Sequence, residues 1–236
     1  MAQSSSAASL STAPRVDVHP LLRNVYLWMT AGLITTAIAA YAVVSLLGAR
    51  IFLISPWIYF SLFIIQLVLV GVLAGAITRL SSGTAILVFL VYAATTGITL
   101  SLILVYYTTE SLFIAFAATA GLFLVMSVFA IFTKTDLTKS SSYLFIGLIG
   151  LLLAMLLNIF LRSSTFDFIM SAFAVILFSA LTAHDTQRIA QLASDPKIEG
   201  EGSELMQKLS VLGALTLYLD FLNLFLWILR IFGRGR

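Results

Sequence analysis

Seven stretches of this sequence are each long and apolar enough to cross a lipid bilayer, and nothing else in it restricts the fold so strongly. They run Val25 to Leu47, Trp57 to Ile77, Ala85 to Tyr107, Leu112 to Phe132, Tyr143 to Leu161, Phe166 to Ala183 and Leu209 to Leu229. About 20 apolar residues at 1.5 Å each bridge the roughly 30 Å of hydrocarbon in a bilayer. Because no water is present there to satisfy backbone N–H and C=O groups, each run must close its hydrogen bonds internally as a helix. The sixth run is marginal in length and is expected to tilt or to thin the bilayer locally. A composition of 61% hydrophobic and 10% charged residues, with a mean hydropathy of +1.08, lies well outside the soluble range. The predicted fold is therefore all-α: a polytopic membrane protein with seven transmembrane helices and the lipid bilayer as its first partner.

One membrane domain is the economical reading of 236 residues. Residues 1–20, rich in Ser and Ala, are expected to form a disordered tail ahead of a helical domain over residues 21–233. The absence of Cys excludes disulfides, thiolate metal sites and cysteine nucleophiles. A net charge of +3 without basic clusters argues against a nucleic-acid partner and reads as topology. Arg15, Arg23, Arg79, Lys134, Lys139, Arg188, Lys197 and Lys208 fall on the side of the N-terminus, against Arg50 and Arg162 in the opposite loops. That excess predicts a cytoplasmic N-terminus. Seven full crossings would then place Arg230, Arg234 and Arg236 on the far side, against the same rule, so either the early helices dominate or the last segment is re-entrant. No proline falls inside a run, which predicts fairly straight helices, and Gly71 with Gly75 forms a G-x-x-x-G expected to pack inside the bundle.

Within this apolar frame, one charge stands out. Asp220 lies at the centre of the last run, where a carboxylate costs roughly 2.5 to 3.5 kcal/mol for insertion and therefore faces the bundle interior, a partner or water. Thr216, Asp220 and Asn223 are spaced by four and three, so a helix aligns them as one polar stripe, with Thr216 and Asn223 candidate pore-lining residues. Eight of the ten acidic residues, Asp167 among them, fall in tails, loops or helix ends and read as solvated. Asp185 closes the sixth run in FSALTAHDTQRI, with even standing as a helix-end charge or an inward one, and Arg79 ends the second run either as a snorkelling anchor or as a group reaching inward. If Asp185 and Asp220 share a cavity, their like charges resist double ionisation and the pair holds a proton. Arg79 would favour the ionised form, so Arg–Asp and Asp–Asp pairings offer two states that pH can bias. Deprotonated, Asp185 and Asp220 supply the hard oxygen ligands that Ca²⁺ prefers, but two carboxylates make a weak, transient, partly hydrated stop, not a tight site. Ca²⁺ and protons are thus the expected ionic partners, with Ca²⁺ as permeant ion and no tightly bound cofactor. His184 adjoins Asp185, but neighbouring helix residues point about 100° apart, so direct contact between them is the minority reading.

The strings RNVYLWMTAGLITTA, VYAATTGITLS, HDTQRI and ALTLYLDFLNLFLWILRIFG together resemble the Bax inhibitor-1 family of multi-pass membrane proteins, over about Leu21 to Gly233. The resemblance implies seven helices with the last one central and wrapped by the other six. It implies a pH-sensitive Ca²⁺ leak in which Asp185 of HDTQ pairs with Asp220 of YLDF, and in which Arg79 latches onto the aspartates. It also implies, for some bacterial relatives, a link to a membrane-bound AAA protease. The loop from Arg188 to Lys208 is longer than in shorter members, and the GRGR ending differs from the lysine-rich tails of apoptosis-linked eukaryotic members. Those departures point to a bacterial plasma-membrane protein.

Two other functions compete with a leak. An intramembrane aspartyl protease also places one aspartate on each of two helices, but Leu217, Tyr218 and Leu219 precede Asp220 where such enzymes have a glycine-framed aspartate. A rhomboid-like serine enzyme would need a histidine within a span and a G-x-S-x-G motif, and the sequence has neither. The expectation is therefore that the protein is not an enzyme. A modulator of a membrane protease or another membrane partner, without transport of its own, is the second alternative.

Overall fold

The computed structural model describes residues 20–194, 203–233 and 235. The expected N-terminal tail lies outside the described residues, as do Asp195, Pro196, Lys197, Glu199, Gly200, Glu201 and Gly202 of the long loop, and Arg234 and Arg236. Among the described residues, seven helices are long and apolar enough to cross a membrane. They are α1 (Pro20–Leu47), α2 (Pro56–Ala76), α3 (Ser82–Tyr106), α4 (Thr109–Phe132), α5 (Ser141–Leu161), α6 (Ser164–Ala193) and α7 (Ser203–Phe232). Short 3-10 turns follow α1 at Gly48–Leu53 and precede α5 at Leu137–Ser140. Prolines open α1 and α2, where a missing N–H costs nothing. Ser81, Thr108 and Ser163 cap α3, α4 and α6 by accepting from the N–H groups of Thr84, Ser111 and Phe166.

Boundaries read from hydropathy agree with the helices to within a few residues except in α1, α6 and α7. α6 runs ten residues past Ala183, to Ala193, so it is not a marginal span: at thirty residues it is about 45 Å long. The apolar count stops at His184 because His184, Asp185, Thr186, Gln187 and Arg188 are polar, yet His184, Thr186 and Gln187 are buried in the bundle.

α7 is the axis of the molecule. Two-thirds of its membrane window is buried, against 6% for α2 and for α5. α1, α3, α4 and α6 pack directly on α7, whereas α2 rests mainly on α3, and α5 on α6. The wrapping of the last helix is therefore in two layers: four helices form its wall and two stand outside that wall. Small residues let the wall close. A Cβ on Gly97 would sit 2.8 Å from Ala39 Cβ, one on Gly32 2.6 Å from Phe89 Cζ, and one on Gly213 2.9 Å from Val25 Cγ2, so glycine alone fits at these crossings. Tyr218, fully buried on α7, meets Phe89 and Tyr92 of α3 edge-on at 5.7 and 5.9 Å. Its hydroxyl lies 2.6 Å from Thr36 Oγ1, which donates to the Ala93 carbonyl, so α1, α3 and α7 share one buried polar knot.

Gly71 and Gly75 do not pack inside the bundle: both are exposed, and a Cβ on either would meet nothing within 4 Å. The G-x-x-x-G spacing faces outward because α2 uses the opposite face, through Leu73, to rest on the bundle. The re-entrant alternative for the last segment also fails. Val25 meets Gly213 and Thr36 meets Tyr218, so α1 and α7 run parallel, and the unbroken α7 carries Arg230 to the end opposite Pro20. There Arg230 is matched within the fold: its guanidinium grips Asp167 of α6 through Nε and a terminal nitrogen. It also stacks 5.2 Å from the Trp227 ring. Asn158 Nδ2 donates to the same carboxylate at 3.1 Å, so Asp167 is not the solvated helix-end charge expected of it.

Candidate functional site

The polar string at the end of the sixth apolar run is continued as helix, with His184, Thr186 and Gln187 buried in the bundle, Asp185 partly buried and Arg188 exposed. Thr186 Oγ1 lies 3.4 Å from Ser127 Oγ of α4. Gln187 takes the Leu137 N–H on its Oε1 at 2.6 Å and donates through Nε2 to the Thr135 carbonyl at 2.9 Å, fastening the α4–α5 connection to α6. His184 Nδ1 is 2.7 Å from Asp185 Oδ1, so the contact between these neighbours, the minority expectation, is the arrangement observed. The side chains diverge at Cβ, but the ring nitrogen nearest the backbone swings back to the carboxylate.

Asp220 sits across from this string on α7 and is 6% exposed. Its carboxyl group lies near enough to Asp185 for the two to interact, while its Oδ2 has no hydrogen-bond partner among the described residues. Two facing carboxyl groups can bond to each other only when a proton sits on one of them, and an unmatched oxygen this deep is costly unless it is protonated or meets a cation. The structure thus places Asp185 and Asp220 near each other.

Thr216 and Asn223 flank the pair along α7 but open into different spaces. Thr216 lines a cavity of about 300 Å³ together with Asp185 and Arg188 of α6, Leu21 of α1 and Ala74 of α2. Asn223 lines a second cavity, of about 390 Å³, with Tyr107, Met155 and Arg230. Asp220 lines neither, so it sits in the packed layer between Thr216 and Asn223 on its helix. Both flanking side chains are held by their own helix, Thr216 Oγ1 donating to Leu212 O and Asn223 Nδ2 to Leu219 O. That leaves the Asn223 carbonyl oxygen free of these bonds.

Arg79 is not brought to the pair. It is exposed in the turn after α2, and no ion pair to it exists among the described residues. The arginine that shares a cavity with Asp185 is Arg188, one helical turn along α6, which sequence position had placed among the topology-setting loop charges. The signal that finds it is the spacing of Asp185 and Arg188 by three, which puts them on one face once α6 is known to continue. Gln187 and Asp167 carried no comparable signal, since a polar residue near a helix end has the same appearance whether it meets water or a partner.

Seven membrane-length helices around the buried Asp220 make this an integral, multi-pass, all-helical membrane protein. Comparison with known proteins narrows that class. The family profile described as "Inhibitor of apoptosis-promoting Bax1" matches residues 18–236. The inner membrane protein YbhL of Escherichia coli K12 is 43% identical over 230 residues, covering 94% of this chain and 95% of the relative. An uncharacterized protein of Borreliella burgdorferi is 41% identical over 92% of this chain and 93% of its own, and one of Deinococcus radiodurans is 39% identical over 93% and 92%. The chain belongs to the Bax inhibitor-1 family.

Proposed function

We propose that this protein is a pH-sensitive Ca²⁺ leak in a bacterial plasma membrane, with its N-terminus cytoplasmic and the Asp185–Asp220 pair as its gate. The observation that carries this reading is the deep Asp220 carboxyl facing Asp185 beside a cavity that also holds Arg188 and Thr216. With one proton between them the two carboxyls bond and hold α6 to α7, which keeps the layer around Asp220 shut. Loss of that proton leaves two adjacent negative charges in a poorly screened interior, and their repulsion parts the helices. The same step creates the oxygen ligands a Ca²⁺ ion needs: two carboxylates, with the Thr216 hydroxyl on one side and the Asn223 carbonyl on the other. Binding there is weak, which suits passage over retention.

Arg188 stabilises the separated state from within the cavity. Arg79 joins only if α2 moves, and α2, resting mainly on α3, is among the least anchored helices of the bundle. A conduction role also accounts for the pair without any substrate-cleaving chemistry, so the protein acts as a leak and not as an enzyme.

The test is flux by the purified protein in liposomes loaded with a Ca²⁺ indicator, from pH 5 to pH 8. Leak faster than in empty liposomes and rising with pH is expected, and Asp185→Asn and Asp220→Asn should each flatten the profile while preserving shape. A rate equal to that of empty liposomes at every pH would overturn the leak and favour a modulator of a membrane-bound protease. Pulldown of such a protease from the same membranes would then be the next measurement.

A further inference from the structure

We propose that the groove between α1 and α3 on one side and α4 on the other is a binding site for one acyl chain of a phospholipid, taken from the leaflet on the Tyr107 side. α3 and α4 are joined by only Tyr107 and Thr108, yet they do not pack along their lengths. The wedge they leave has a volume of about 350 Å³ and is floored by Phe221, Leu222 and Phe225 of α7. Its lining is apolar apart from the hydroxyls of Thr36 and Thr109. Thr36 is already engaged by Tyr218 and by the Gly32 and Ala93 carbonyls, so the groove offers no polar group for a hydrated ligand to use at depth.

Depth and size select the occupant. The groove reaches from Thr109, at the end of its span, to Phe116, seven residues or about 10 Å further in. Half of the roughly 30 Å of hydrocarbon is one leaflet, so the groove starts at the interface and stops short of the bilayer centre, as a tail from that leaflet would. A single file of methylene groups has the right section and chemistry. The site also touches the gate's own helix. Phe221 follows Asp220 directly and is held edge-on between Phe116 at 5.7 Å and Phe123 at 5.5 Å, so a chain lying on Phe116 and Phe221 braces α7 at the residue beside the carboxyl pair.

The experiment is native mass spectrometry of the full-length protein, extracted from membranes and exchanged into a mild detergent. Wild type should retain one phospholipid, identified by the adduct mass. Ala37→Trp, at the exposed rim, and Leu104→Trp, on the groove wall, should lose it, while Ile176→Trp, on the exposed outer face of α6, should keep it. Thermal unfolding of each variant shows which are folded, and the exposed rim position keeps the comparison valid if Leu104→Trp is not. Wild type without an adduct, equal retention in all the folded variants, or an adduct with the mass of a free fatty acid would each overturn the assignment.

Discussion

A carboxyl group buried as deeply as Asp220, with a second carboxyl facing it, is at rest only when a proton or a cation stands between them. Asp220 was conspicuous in the sequence because it interrupts an apolar run at its centre, where no solvated role is available. Residues such as Gln187 were not, because near a run's apparent end a polar side chain usually means water. Gln187 is nonetheless buried, and Gln187→Leu strands the Leu137 N–H and the Thr135 carbonyl. A loss of about 3 kcal/mol is expected, read as a lowered unfolding temperature in detergent. Asp136, just outside the membrane segments, is the opposite case, a surface carboxylate whose hydrogen bonds favour its charge. Hydrogen bonds from Thr138, with Lys139 nearby, hold its carboxyl below the ordinary 3.8. Its folded form therefore favours the ionised state, and the stabilisation is present above that ordinary value and fades as pH falls through the lowered one. Asp136→Asn should lower the unfolding temperature at pH 7, with the difference from wild type shrinking on acidification below pH 4; an equal difference at both ends would show that the charge is irrelevant.

Glycines mark the inward face where α1 crosses α3 and α7, at Gly32, Gly97 and Gly213, and mark nothing at Gly71 and Gly75 of α2. At Gly97 of α3 an added methyl would collide with Ala39 and with the Thr36 carbonyl, so Gly97→Ala should cost about 1–2 kcal/mol as α1 and α3 are pushed apart. Gly71→Ala meets open space on α2 and should instead stabilise by up to about 1 kcal/mol, through helix propensity alone. Thermal denaturation of the two variants side by side checks both signs. The sequence motif favoured Gly71 and Gly75, a spaced pair, over the single Gly97, because spacing within one helix is visible along a chain while the partner's contour is not. Helix existence was legible for all seven elements from apolar length. The inner end of α6 was hidden, since its burial depends on the neighbours α4 and α7 that receive Ser127-facing Thr186 and the carboxyl of Asp185.

At the scale of the whole molecule, the two ends of the bundle are fastened differently: Gln187 ties a loop to α6 at one end, and Asp167 with Arg230 ties α6 to α7 at the other. Both members of the ion pair are partly exposed, so a double-mutant cycle of Asp167→Asn and Arg230→Gln should give a coupling of about 1 kcal/mol, measured by unfolding in detergent. Additive single effects would show the two charges to be independent. That seven helices cross the membrane was legible from the chain; which four form the inner wall was not, because lipid and helix present the same apolar face to a side chain. The central place of α7 has a further consequence, for biogenesis. The wall helices α1, α3, α4 and α6 all precede in the chain the helix they enclose, so none of them has its central partner until the last helix has been made. Asp220 therefore reaches Asp185 only after every other helix has been made, and the bundle cannot close until the one segment with a charge at its centre has left the lipid.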